Sequence, residues 1–335
     1  MFSPKFRQNL IAGIVLGTFA LIVATPLLRH PHGLLVGPQF DGRNDLTSIF
    51  LVFRTWPRQA LETHGQLPLW NPFFLSGTPW FGNPQSGMLY PPNWIFFLGG
   101  GAWLASWMLI GHLWWGGLGV YFVVRRMDWN WGAGVLGGCA YLAAPFLIAQ
   151  TGEGHYNQIC VAAWIPWAFF VFEGFRKGSR YAVPSLALVM ALMFFSGHVQ
   201  ECYYLAFLLT LSVVWAVCIP HEHPTSPGYR KRLLGSWFGA GAITVGLVAV
   251  ESLPQFLNSK QSVRSEGLSL EQSGTISLGA DNFRQLLDPF ALGGPENYHG
   301  AGQFFWETFF HFGYTILALA LLGLVLQRRN PEIWR

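Results

Sequence analysis

Two sets of ionisable side chains could carry chemistry in this otherwise apolar chain. Asp41 and Asp45 stand four residues apart, and Arg43, Arg54 and Arg58 share their stretch. A carboxylate there could take a proton from a hydroxyl, and guanidinium forks suit phosphate oxygens. Glu153, His155, His198 and Glu201 form the second set, near the ends of apolar runs, where ionisable groups mark function by default. They could hold a divalent metal ion or an acceptor. His198 and Glu201 have one-turn helical spacing, but two residues are too few for a metal site on their own. Glu251 and Glu307 lie near ends of apolar runs and need partners; His311, one helical turn after Glu307, could be one. Plainer roles compete throughout: a helix cap for Asp45, surface ion pairs for the arginines, mutual hydrogen bonds for the His and Glu residues. No phosphate-binding glycine loop, serine-nucleophile motif or dinucleotide fingerprint occurs in a plausible context, which argues against catalysis with ATP or a nicotinamide.

What positions these residues is a membrane bundle. With 52% hydrophobic and 11% charged residues over 335 positions, the chain has too little polar surface to enclose a water-soluble globule. Its many Trp and Phe suit membrane interfaces and helix packing. Apolar runs at 9–28, 102–124, 132–150, 157–175, 181–197, 202–219, 233–253 and 308–326 predict about eight crossings at roughly 20 residues each. The first is long for a secretory signal and reads as a retained anchor. Lys5 and Arg7, Arg125 and Arg126, Arg176, Lys177 and Arg180, Arg230 to Arg232, and Arg328 and Arg329 fall in alternate short segments. Lys and Arg resist crossing, so both ends belong inside. The expected fold is an all-α polytopic membrane protein, one transmembrane domain over 1–335, with long extracytoplasmic segments at 29–101 and 254–307. Cys139, Cys160, Cys202 and Cys218 show no redox or zinc spacing and read as packing residues, with a Cys160–Cys202 disulfide as the alternative.

In the first outer segment Leu46, Ile49, Phe50 and Phe53 make an apolar stripe at helical spacing. This predicts a helix along the membrane surface, with Asp41 and Asp45 beside the stripe and Arg43, Arg54 and Arg58 on the far side. Pro57 is expected to break it and start a second short helix that Gly65 ends. The following turn residues, dense in proline, predict a rigid loop.

Those residues carry a resemblance. Pro68-Leu69-Trp70-Asn71-Pro72, Gly77-Thr78-Pro79, Asn83-Pro84-Gln85 and Tyr90-Pro91-Pro92 are similar to the first loop of bacterial YfhO-type membrane proteins. Gly154-His155, Ala163-Trp164-Ile165-Pro166-Trp167, Gly197-His198-Val199-Gln200, Leu253-Pro254, Ser262-Val263-Arg264, Glu307 and Gly313-Tyr314 follow in the family's order. The resemblance covers nearly the whole chain but only the N-terminal part of the family, whose members continue through further helices and an extracytoplasmic region. It implies a GT-C-like glycosyltransferase fold in the bacterial cytoplasmic membrane, its functional face extracytoplasmic. It further implies transfer of a sugar from a polyprenyl-phosphate carrier to an acceptor. Asp45, then Asp41, would be the base, and Arg264, with Arg43, Arg54 and Arg58 behind it, would hold the lipid phosphate. The alternative is a non-catalytic accessory subunit that packs against partner membrane proteins. Membrane lipids are expected partners on either reading; nucleic acid is not.

Overall fold

The structure, a computed structural model, describes residues 3–37, 44–73, 76–219, 228–262, 265, 267, 269–274, 277–300 and 305–327. Asp41, Arg43 and Arg264 lie outside the described residues. Helix α1 (Pro4–Val23) opens on Ser3, whose hydroxyl accepts the Phe6 amide, and the short α2 (Thr25–Arg29) follows. The first long loop holds a π-helical turn over Leu46–Phe50, α3 (Leu51–His64), a two-residue antiparallel strand pair joining Trp70–Asn71 to Thr78–Pro79, and 3-10 turns at Pro84–Ser86 and Pro91–Leu98. Then come α4 (Trp103–Arg126), α5 (Trp131–Leu142), α6 (Pro145–Glu153), α7 (Tyr156–Arg176), α8 (Ala182–Phe195), α9 (Val199–Cys218) and α10 (Tyr229–Ser259). A second loop region carries α11 (Leu270–Gly274), a 3-10 turn at Ala280–Leu286 and α12 (Phe305–Thr308), before α13 (Tyr314–Gln327).

Among the described residues six helices are long and apolar enough to cross a membrane: α1, α4, the α5–α6 pair taken as one run, α7, α9 and α10. The chain is an all-α membrane protein. The fifth and eighth expected crossings are helices too, but α8 and α13 have 14 residues each, a length of about 21 Å at 1.5 Å per residue. The third is two helices rather than one. Pro145 has no amide hydrogen to continue α5, and starts α6 instead, in the position where a missing donor costs nothing.

The bundle is built around α4, which packs against α5 and α7. Small residues let the backbones close: a Cβ on Gly138 would stand 2.7 Å from the carbonyl oxygen of Gly117. Helix α7 continues the packing to α8, and α8 to α10. Outward faces of α9, α10 and α13 expose Phe207, Leu211, Val245, Phe256 and Val325, as helices bathed in lipid do. One end of the bundle gathers the basic turns: Lys177 Nζ donates to the Arg126 carbonyl, and Arg126 lies 4.6 Å from the Phe170 ring centroid. The start of α1 is at that end, where the Tyr121 hydroxyl donates to Asn9 Oδ1 (2.8 Å).

At the other end the first loop is fastened into the bundle by buried polar groups. Arg54 is buried, donating to the Ser86 carbonyl and to Asn157 Oδ1, and its guanidinium lies 4.8 Å from the Tyr156 ring centroid. Burial pulls its pKa below the ordinary arginine value. Asn157 Nδ2 donates to the carbonyls of Gln85 (2.9 Å) and Gly197 (3.2 Å). The Tyr156 hydroxyl donates to Asn93 Oδ1 (2.9 Å), and Asn93 Nδ2 to the Gly87 carbonyl (2.9 Å). A third chain fixes a tautomer. His112 Nδ1 faces the Met108 carbonyl and must donate to it (2.7 Å), so Nε2 accepts from the Tyr90 hydroxyl (2.8 Å), which accepts from Trp164 Nε1 (2.7 Å). Burial raises the Tyr90 pKa, which keeps that hydroxyl a donor.

Two local expectations change. Helix α3 runs through Pro57 without a break, because buried Phe53, Trp56 and Ala60 hold both sides of the proline on one core, and only Gly65, at φ 69°, ends it. All four cysteines are free, so no disulfide joins Cys160 to Cys202.

Candidate active site

Asp45 and His155 come together at the loop-bearing end. Asn44, not Asp45, caps the helical turn, its Oδ1 accepting the Thr47 amide (3.0 Å), and Asp45 makes no capping bond. Its carboxylate is therefore free to face His155, whose Nε2 donates to Asp45 Oδ2 (3.2 Å). Gly154 makes this approach feasible. It sits at φ 86°, where L residues are strained, and a Cβ there would stand 2.5 Å from the Leu46 amide nitrogen.

The partners of His155 determine its protonation. Gln150 Nε2 donates to the Trp306 carbonyl (2.9 Å), so its side-chain oxygen is the atom facing His155 Nδ1. Nδ1 must then donate, and Nε2 faces Asp45 and, at 3.8 Å, Glu307 Oε1. Both ring nitrogens address acceptors, so the form that fits is imidazolium. Burial opposes that charge, but the hydrogen bond to Asp45 and the charges of Glu307, Asp45 and Glu153 outweigh it and lift the His155 pKa above its ordinary value. Side-chain exposures of 14% for His155, 38% for Asp45 and 47% for Glu307 leave the carboxylates within reach of a ligand. Glu307 thus pairs with His155. His311 instead donates from Nδ1 to the Gln285 carbonyl (2.9 Å), because the second loop folds it inward.

Beside this group lies a cavity of about 260 Å³, lined by Val23 and Leu35, by Ile110 and Leu113 of α4, by Ile148 of α6, and by Trp306. It is almost wholly apolar and lies against the bundle helices. No family model, curated protein or solved structure matches this chain. Its function must be argued from its own geometry.

The remaining candidates separate into two kinds. His198 and Glu201 pair through Nδ1 and Oε2, and Gln158 Nε2 donates to the other Glu201 oxygen (2.8 Å). This triplet sits where Gly197, at φ 93°, turns the chain against Asn157. It holds the imidazole in one orientation, with no partner for Nε2 among the described residues. Arg54 is spent on anchoring the loop and is not available to a phosphate, whereas Arg58 donates from Nε to Glu62 (2.6 Å) in a partly exposed pair. Glu251 is buried in α10, with Gln255 donating to one oxygen (2.9 Å) and, among the described residues, no partner on the other. Among the described residues no group of three or more His, Cys, Asp or Glu is arranged to hold a metal ion. Sequence reasoning missed Gln150, Asn157 and Trp306. Gln150 and Asn157 are polar residues inside or beside apolar runs, a signal that could have marked both.

Proposed function

We propose that this chain is a GT-C-type glycosyltransferase related to YfhO-type proteins. It takes a sugar from a polyprenyl-phosphate carrier and delivers it to a hydroxyl acceptor on the extracytoplasmic face of a bacterial cytoplasmic membrane. The observation that carries this reading is a half-exposed carboxylate, Asp45, held against His155 next to an apolar cavity. Asp45 would accept the acceptor proton, and His155 and Glu307 would position it. A lipid chain suits the cavity walls.

Charge decides where the phosphate goes. Asp45, Glu153 and Glu307 against one imidazolium leave the group net negative, which repels a phosphate monoester or diester. The phosphate must be held by cations from elsewhere, and Arg264 is the residue we assign. The topology follows the same logic: basic turns at the end opposite the site fit a cytoplasmic side, with both termini inside and eight crossings, α8 and α13 included.

One observation favours a second reading, a non-catalytic subunit of a membrane assembly: Arg54 is buried and committed within the chain. The test is one detergent preparation assayed for sugar transfer from polyprenyl-phosphate donors and for co-purifying chains by mass spectrometry. Transfer that Asp45→Asn abolishes supports the enzyme. A stoichiometric partner with no transfer by either form means a fold reused as a subunit.

A further inference from the structure

Trp306 connects the two features of the site. Its ring packs so closely on Gly37 and Gly152 that a Cβ on either would stand 2.8 Å from it, and its carbonyl accepts from Gln150. The ring forms one wall of the apolar cavity. The next residue, Glu307, faces His155. The segment belongs to a separately packed unit in the second loop, where Phe305 joins Leu292 and Tyr298 in a small core. Within that unit Asn282 Nδ2 donates to the Tyr298 hydroxyl (2.9 Å) and to the Thr308 carbonyl (3.3 Å). Trp306 is therefore a finger on a body with its own core, and beside the cavity its carbonyl and the neighbouring Glu307 make polar contacts with Gln150 and His155 of the bundle.

We propose that Trp306 is a lid over the apolar cavity and that the contact between Glu307 and His155 is its latch. The lid serves any apolar chain that enters the cavity and does not require the transfer reaction. The groups facing His155 are Asp45 from the turn before α3, Glu153 from α6 and Glu307 from α12, together with neutral Gln150. While the imidazole is charged it attracts all three carboxylates. Its folded-state pKa is raised, so the latch is closed below the ordinary histidine range and is lost as pH climbs through the raised value. Above it the three carboxylates repel one another across a neutral ring, and the lid lifts.

The test places one thiol in the cavity by Leu113→Cys, with the four native cysteines replaced, and measures its labelling by N-ethylmaleimide. Each rate is divided by the rate of the same protein carrying Trp306→Ala at the same pH, which cancels the thiol's own titration. With the lid intact the ratio is expected well below one near pH 6 and about two- to fivefold higher near pH 9, the range that an ion pair of partly exposed groups can hold. Glu307→Gln, which preserves size, should raise the ratio near pH 6 to its alkaline value, and His155→Gln should do the same. A ratio of one at every pH overturns the lid. A ratio below one that ignores both pH and Glu307→Gln overturns the latch.

Discussion

The loop-bearing end of the bundle holds two polar regions of opposite character. Beneath the first loop, Arg54, Asn157, Asn93, Tyr90 and His112 are buried, and nearly all their donors and acceptors meet partners. Around His155, the carboxylates of Asp45 and Glu307 are half exposed and outnumber the cation. The first region resembles the interior of a folded domain, where a polar group is tolerated because its bonds are complete. The second has unused bonding capacity. Residue type alone does not separate them, since an arginine is structural and a histidine is not; completeness of the bonding does.

Substitutions should therefore divide by region, and the largest effects fall under the loop. Asn157→Leu strands the Arg54 guanidinium in a buried site and should cost about 3 kcal/mol or more, seen as a lower thermal midpoint in detergent and new tryptic cleavage at Arg58. Gly197→Ala forces a left-handed residue against Asn157 Nδ2, 2.5 Å from the new Cβ, and should cost about 2 kcal/mol by the same measurement. In the other region His155→Gln should lower stability by no more than about 1 kcal/mol near pH 6, because the ion pairs are partly exposed. That difference should vanish as pH rises through the raised His155 pKa, since a cation favoured by folding stabilises only while protonated. Smallest in stability is Asp45→Asn, below about 0.5 kcal/mol, although it should remove sugar transfer. A tolerant Asn157→Leu together with an unfolded Asp45→Asn would reverse the two assignments.

Much of the all-α fold was legible because hydrophobic length is a strong signal: every expected crossing is helical, although the third divides into α5 and α6 at Pro145 and α8 and α13 are short. Asp45, His155 and Glu307 were legible as candidates, since ionisable groups in apolar surroundings stand out. The burial of Arg54 is not legible, because arginines are seldom buried and its neutral partners, the Ser86 carbonyl and Asn157, leave no charge pattern to read. Propensity predicts a break at Pro57, because it says nothing about the core that holds both sides of it. Sequence spacing points Glu307 to His311, whereas the loop fold brings it to the distant His155. Several stretches that carry the family resemblance, Asn83-Pro84-Gln85, Tyr90-Pro91-Pro92 and Gly197-His198 among them, include or adjoin the groups that fasten the loop.

The bonds that complete this end of the molecule span long distances along the chain. Arg54 reaches Asn157 across 103 positions, and Gln150 reaches Trp306 across 156. On the ribosome the early helices can pair with neighbours soon after they emerge, but the first loop must wait, with its arginine unmatched, until α7 has been made. The wall formed by Trp306 must wait longer still. Contacts that close such large loops are the slow ones in folding, so the group around His155 is completed only after α12 has been made, long after α4 and α5 can pair.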